Sequence, residues 1–332
     1  MQATVLILGA RGRFGLAAAR AFARAGWRVQ GLVRPGGELP VEAAMDYCIE
    51  WQFADLHDTA AVARAAHGAS VVVHALNPHY TRKAWQTQAQ PMTDAAIGIT
   101  RALNATLMFM GNVYNFGADM PALLSESTPQ RAQTAMGQVR IAVEEHIRRS
   151  GVRAIVIRAG DFFGSGTGTW FDQAMVKDIQ RGKFVDPGHI AVAKAWAYLP
   201  DLARTFVEVA VRRHLLQPFE VFHFAGYCLN GQHWLDALAP IARAQGWVPP
   251  GAGLHYRRLP WPILRIGALV LPTYAAAVEM RYLWTTPHAL DNRKLLALLG
   301  AEPHRPLAQA AAMALHDLGF TRSAVGAPVA GS

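Results

Sequence analysis

The sequence predicts an α/β protein built on a doubly wound parallel sheet, and three observations carry that expectation. The chain opens on an apolar run, Thr4 to Leu8, that passes into a glycine-rich turn, GARGRFG at residues 9 to 15, and then into an Ala-rich helical stretch. Short apolar runs then alternate with helical stretches as far as about Gly168, after which the pattern loosens. The run Ser70 to Ala75 is continuous and β-branched, as in parallel strands buried on both faces.

Each glycine of the turn has a mechanical reason. Gly9 lets the chain turn off the strand, Gly12 lets the backbone approach a pyrophosphate, and Gly15 lets the helix lie close on the sheet. The helix from Leu16 to Ala25 would offer free N–H groups and its positive end to the phosphates. The spacing G-x-x-G-x-x-G is one residue longer than the G-x-G-x-x-G fingerprint, and its place between strand and helix supports a dinucleotide site. Gly9, Arg11, Gly12, Arg13, Phe14 and Gly15 are the expected contacts of this turn.

The second strand, Arg28 to Val33, ends at Arg34 with no Asp or Glu where an acid would select the free 2′-hydroxyl of NAD. Arg34, Arg11 and Arg13 could instead surround a 2′-phosphate, which favours NADP over NAD; the alternative is three ordinary surface arginines. A Gly/Pro-marked connection, Gly36 to Tyr47, leads to a third strand, Cys48 to Phe53. Asp55 and Leu56 follow, either at the adenine edge or with Asp55 capping the next helix. Ala75 and the Asn77-Pro78 turn would end the fourth strand beside the cofactor.

A helix from about Thr93 to Asn104 leads to a fifth strand, Thr106 to Met110, and to GNVYNFG at residues 111 to 117. A helix from Met136 to Ser150 and a sixth strand, Val152 to Arg158, lead to AGDFFGSGTG, where Gly160 would face the cofactor. Past Gly168 come a helix near Trp170 to Arg181, the segment AWAYLPDLA, a helix Leu202 to Arg213 and a strand Phe219 to Ala225. Helical stretches at about Gln232 to Gln245, Trp261 to Leu283, Asp291 to Leu299 and Leu307 to Leu318 complete the chain. The expected organisation is a dinucleotide-binding domain over 1–226, with 162–185 facing the substrate crevice, a smaller, mainly helical substrate lobe over 227–322, and a tail at 323–332.

Composition narrows the function classes. With 52% hydrophobic and 17% charged residues in 332, the chain is globular. Its net charge of +9 is scattered, with no basic run interleaved with aromatics, so nucleic-acid binding is not expected. The apolar stretch Trp261 to Trp284 is interrupted by Pro262, Arg265, Pro272, Glu279 and Arg281, and reads as a pocket-facing or core region with an interfacial contact left open, not as a membrane span. Cys48 and Cys228 have no C-x-x-C or His-rich partner and read as small core hydrophobes, so neither a disulfide framework nor a metal site is expected. Met1 and Gln2 lead straight into the first strand, and the expectation is a cytoplasmic protein acting on a small molecule, compatible with a homodimer.

These motifs, in this order, resemble the extended short-chain dehydrogenase/reductase superfamily, in its NAD-dependent epimerase/dehydratase branch, over nearly the whole chain. GARGRFG looks like that family's cofactor turn, and NVYNFG at 112–117 like its segment after strand five. IRAGDFFGSG at 157–166 is similar to its Arg-Pro-x-x-x-x-Gly-Pro-Gly segment, and AYLPDLAR at 197–204 to its V-x-D-x-A motif. The resemblance implies a Rossmann sheet, a nicotinamide dinucleotide, a Ser or Thr that orients the substrate oxygen, and a Tyr-x-x-x-Lys pair that handles the proton. Asn112 stands at the serine position, and Met136 and Arg140 stand at the Tyr and Lys positions.

A thioether cannot act as a general acid or base, so Met136 rules out the family's usual proton transfer. Arg140 keeps a positive charge for ribose or phosphate, and Asn112 can still hydrogen-bond a substrate oxygen. The replacement proton donor is sought in Tyr114 first, then Tyr80, His74 and Asp161, each of which ends or follows a strand. The leading function is therefore an NAD(P)-dependent oxidoreductase of atypical short-chain type, moving hydride to or from a small carbonyl, alcohol or activated alkene. A nucleotide-sugar epimerase or dehydratase is one alternative; a non-catalytic NADP-binding sensor is the other. Trp170, Phe163, Trp196 and Trp261 are either pocket aromatics or core.

Overall fold

Runs that are apolar without alternation pair with one another in parallel. In the computed structural model, which describes residues 2–39 and 49–321, strands β1 (Thr4–Leu8), β2 (Arg28–Val33), β3 (Ile49–Phe53), β4 (Ala69–His74), β5 (Thr106–Asn112), β7 (Ala154–Ala159) and β11 (Phe219–His223) form one sheet. Its order is β11-β7-β5-β4-β1-β2-β3, and every neighbouring pair is parallel. The chain runs outward from β1 to β3, then crosses back to β4 and runs outward the other way, so the order reverses between β1 and β4. This is the expected doubly wound sheet, and ligands of such sheets bind outside the strand ends at that reversal.

Both faces are covered, which is why the strands do not alternate. Val5 and Ile7 pack with α1 (Arg13–Arg24) and α5 (Leu199–Val211), where Phe14 meets Phe206 edge-on at 4.8 Å between ring centres. Leu6 and Leu8 face the other way, onto α2 (Thr59–Ala65), α3 (Arg82–Ala102) and α4 (Ala135–Arg149). α3 begins well before the expected Thr93. Thr81 caps it by accepting the Ala84 N–H at 3.2 Å, and it continues through Pro91 because both halves bury a face, Trp85 in one and Ala96, Ile97 and Ile99 in the other.

Short pairings that periodicity cannot reveal build the rest. β8 (Asp161–Phe163), β10 (Lys194–Tyr198) and β12 (Tyr227–Leu229) form a three-stranded sheet, β9 (Lys183–Asp186) pairs with β13 (His255–Arg258), and β6 (Leu123–Leu124) pairs with β14 (Ala289–Leu290). The helix expected over Trp170 to Arg181 is instead a π-helical turn, Phe171–Met175, and a 3-10 turn, Ile179–Arg181. The stretch expected as one helix from Trp261 to Leu283 is broken at Gly267 and Pro272 into α7 (Trp261–Gly267), α8 (Pro272–Glu279) and a 3-10 turn, Met280–Trp284. The remaining helices are α6 (Gly231–Ala244), α9 (Arg293–Leu299) and α10 (Leu307–Asp317).

Phe163 and Trp196 are core, not pocket lining: with Phe171, Tyr198 and Trp234 they form a buried aromatic cluster shared with α6 and α10. Trp261 is buried in the same cluster, and Trp170 packs against it. Cys228 is exposed, contrary to the expectation of a core position, because on the short strand β12 its neighbours Tyr227 and Leu229 take the inward places. Cys48, most of the Gly36 to Tyr47 connection and the tail at 323–332 lie outside the described residues. Among the described residues no helix is long and apolar enough to cross a membrane, and no group of His, Cys, Asp and Glu could hold a metal ion.

A buried ion pair ties α4 to the sheet. Arg158, 2% exposed, bonds both carboxylate oxygens of Glu144, the closest contact being 2.6 Å. Its other side meets His223 Nε2 at 3.4 Å, and His223 Nδ1 lies 2.9 Å from the Leu124 carbonyl. The proton is thus assigned to Nδ1, which donates to Leu124, leaving Nε2 to accept from Arg158. Burial and the Arg158 charge push His223 down to about 4, so it stays neutral in this network. Removing one member strands a buried charge. Glu144→Ala is expected to cost about 3–5 kcal/mol of stability; a urea midpoint within error of wild type would show that the pair contributes nothing.

Candidate active site

The glycine turn lies at the sheet's reversal point and touches its far side. Gly9 has φ +84°, and a Cβ there would come within 2.9 Å of the Ala75 and Leu76 backbone, just past β4. A Cβ at Gly15 would overlap the Gly9 carbonyl, so α1 can approach the turn this closely only with glycine there. Gly12 differs: its φ of −74° suits any residue, and its Cβ would meet only the Gly9 oxygen, at 3.2 Å. α1 starts just after it with no side-chain cap and no acidic residue in its first turn. Its positive end is therefore free to receive an anion, unlike α2, α3, α4 and α6, which Asp58, Thr81, Thr134 and Asn230 cap.

The three arginines expected around a 2′-phosphate do not converge. A Cβ on Gly37 would lie 3.1 Å from Arg11 Nη1 and 2.9 Å from the Arg34 carbonyl, so Arg11 reaches the loop that follows β2 and exposed Arg34. Arg13 turns the other way, toward Gly168, where the Asp172 charge partly offsets the burial that lowers its pKa. Phe14 is core. Asp55 follows β3; its carboxylate accepts the His57 N–H at 3.0 Å, and Asp58, not Asp55, caps α2. Leu56 packs on the core beneath. Gly160 is required by a neighbour rather than by open space, since a Cβ there would overlap the Ala195 backbone.

Arg140 is buried at the ends of β4 and β5. It donates to Asn77 Oδ1 at 3.1 Å and lies over the rings of Trp85 and Phe109, at 4.8 and 5.2 Å. Burial lowers it to about 10, still charged near neutral pH. His74 lies in the same narrow cleft, with Nε2 3.2 Å from Thr93 Oγ1. Desolvation, with the Arg140 charge second, pushes His74 down to about 3, so it stays neutral and offers no imidazolium proton for catalysis.

Asn112 is buried, and its Oδ1 accepts the Tyr114 N–H at 3.0 Å, so this carboxamide shapes the turn that carries Tyr114. Met136 is fully buried, and Tyr80, Tyr114 and Tyr282 all pack against the cluster that encloses it. The Tyr80 hydroxyl is placed to hydrogen-bond that of Tyr114, whose ring stacks on Trp85 at 5.8 Å. Burial, with the Tyr80 and Asp161 charges behind it, raises Tyr114 well above the usual phenol range.

Two further elements were not visible in the sequence. Lys194 of β10 is buried against the Trp284 ring at 3.1 Å and pairs with Asp161, which neutralises its charge. Glu279 of α8 accepts the Ala135 N–H at 2.5 Å at the start of α4 and also pairs with Arg82 at 2.9 Å. With Tyr282 donating to the Tyr114 carbonyl at 3.4 Å, this contact lays the C-terminal segment over the tyrosines. Both features join residues far apart in sequence, and no local pattern announces either.

Residues 3–239 match the family described as the RmlD substrate binding domain. The chain belongs to that family. This places it among the enzymes of the epimerase/dehydratase branch that its motifs resemble. No curated protein matches the chain. Among solved structures it is similar to the Bordetella bronchiseptica enzyme WbmH in complex with NAD+, at 16% identity over 96% of this chain and 98% of that one, with a TM-score of 0.69. A UDP-glucuronic acid 4-epimerase from Bacillus cereus in complex with NAD shares 14% identity over 94% and 96%, with a TM-score of 0.70. A UDP-glucose 4-epimerase from Thermotoga maritima with UDP-glucose shares 14% over 95% and 98%, with a TM-score of 0.69. At these identities the likeness is one of fold.

Proposed function

We propose that the chain is a nicotinamide-dinucleotide-dependent oxidoreductase that reduces a small carbonyl or activated alkene, with Tyr114 as proton donor in place of the missing helix tyrosine. The observation that carries this reading is the packing of Tyr114, just past β5, and Tyr80 against the buried cluster that contains Met136, with their phenols placed to bond each other. The turn Gly9 to Gly15 and the uncapped start of α1 fit a pyrophosphate, and the fold relatives WbmH and the Bacillus cereus epimerase were solved with NAD+ and NAD. Asp55 and Leu56 follow β3 and Ala75 and Asn77 follow β4, and Arg140 and Asn77, which bond each other, would hold a ribose. When bound, the dinucleotide supplies a hydride.

The electrostatics favour reduction over epimerisation. A sugar epimerase needs a group that takes a hydroxyl proton, and a phenol raised by burial takes one poorly near neutral pH but can give one. Tyr114 Oη gives its proton to the substrate oxygen, and Tyr80 Oη relays a proton from solvent to restore it. Asn112 positions Tyr114 through its backbone N–H. The nucleotide-sugar reading is supported by the fold relatives, which include epimerases named for UDP-sugars. Two incubations separate the readings: consumption of NADPH with a panel of carbonyls and enones supports reduction, and interconversion of UDP-sugar epimers with NAD+ or NADP+, without net dinucleotide turnover, supports epimerisation. Binding without turnover of either kind would leave a nucleotide sensor.

Arg34, with Arg11 reaching its loop, supports NADP over NAD. NADPH is expected to bind about tenfold or more tightly than NADH, the scale of a charge-assisted phosphate contact. Fluorescence titration checks it; equal affinities, or a preference that survives Arg34→Ala, would assign these arginines to the solvated surface.

A further inference from the structure

The hairpin of α7 and α8 has one packed side and one bare side. Trp261 is buried and donates its indole N–H to the Pro187 carbonyl at 2.6 Å, and Leu264 packs against the aromatic cluster, so the inner side is anchored. The Tyr274 ring covers Gly267, where a Cβ would come within 2.6 Å of it, so the two helices close on each other. The outward side chains are apolar all the same: Ile263, Ile266, Leu269, Val270, Leu271 and Tyr274, with Leu269 85% and Val270 81% exposed. Single exposed apolar residues are ordinary, but six on one short hairpin make a contiguous patch that water covers poorly.

Charge indicates what covers it. No Asp or Glu stands between Asp236 and Glu279, while exposed His255, Arg257 and Arg258 on β13 lead into the hairpin and exposed Arg265 lies on α7. A two-fold contact with a second copy would set this hairpin against itself and crowd those arginines together, while its one acid, Glu279, is already bonded to Arg82 and the start of α4. A negatively charged surface with an apolar interior answers both features at once. We propose that the α7–α8 hairpin seats in the face of an anionic lipid bilayer, its apolar tip below the headgroups and its arginines among them. The hairpin does not cross, since neither helix approaches the ~20 residues a span requires. Its C-terminal end runs directly into Glu279 and Tyr282, so seating brings the crevice to the lipid boundary.

Flotation of the full chain with phosphatidylcholine vesicles, with and without ~30% phosphatidylglycerol, tests this. The chain is expected to float with the anionic vesicles, to be released as salt rises to about 0.5 M, and to stay behind with phosphatidylcholine alone. Ile266→Ser combined with Leu269→Ser and Val270→Ser alters only exposed positions, so circular dichroism and the thermal midpoint should match wild type. Its partition onto the vesicles should fall at least about a hundredfold. Arg257→Ser with Arg258→Ser and Arg265→Ser should remove the preference for anionic lipid. Wild type that floats with neither vesicle, or a Ser variant that floats as wild type does, overturns the proposal. So does light scattering in which wild type is a dimer and the Ser variant a monomer while neither binds vesicles, which would give the patch to a second copy.

Discussion

Tyr114→Phe is expected to lower turnover by about 10²-fold or more, the scale of a lost general acid, while dinucleotide affinity stays near wild type. The change removes one hydroxyl and keeps the ring on Trp85, so the fold should lose no more than about 1 kcal/mol. Stopped-flow measurement of NADPH consumption would read it. Since burial holds Tyr114 protonated well beyond the usual phenol range, the wild-type rate should stay flat from about pH 6 to 9, where an ordinary donor near 10 would begin to fail at the alkaline end. Tyr80→Phe should slow turnover less, because it interrupts resupply and leaves the donor in place. Full activity in Tyr114→Phe, with activity lost in Asn112→Ala, would make substrate or water the proton source.

The second large effect concerns the glycine turn. Gly12→Val is expected to weaken dinucleotide binding by about a hundredfold, the scale of a ~3 kcal/mol steric clash, with little change in thermal midpoint. The separation is possible because Gly12 sits in ordinary extended backbone with only the Gly9 oxygen near its missing Cβ. Gly15→Ala is the contrast. There the new methyl overlaps the Gly9 carbonyl inside the packing of α1 on the turn, so fold and binding should fail together. Calorimetric titration beside circular dichroism distinguishes them, and retained affinity in Gly12→Val would remove the turn from the phosphate site.

Arg13 and Arg11 show where reading along the chain stopped. Both belong to the glycine turn, and a linear sequence lets both point at one phosphate. The fold sends them apart because α1 begins between them: Arg11 stays on the loop that faces β2, and Arg13, in the helix, turns toward Gly168 and Asp172. Asp55, read as lying at the adenine edge or capping α2, does not cap it: Asp58 accepts the Ala61 N–H, a bond that only the folded turn shows.

By itself the sequence determined the central sheet and the glycine turn. Those facts are recorded locally: continuous apolar runs follow from burial on both faces, and Gly15 from the Gly9 carbonyl within the same turn, whereas the contact that requires Gly9, with the Ala75 and Leu76 backbone, is long-range. The tertiary structure alone decided that Tyr80, Tyr114 and Tyr282 pack against the cluster that holds Met136, that Lys194 pairs with Asp161, and that Glu279 accepts the first N–H of α4. Each of those contacts joins residues on separate elements, so it depends on how strands two to five residues long pair and how helices pack over them. A burial pattern recurring every two or three residues carries no record of that.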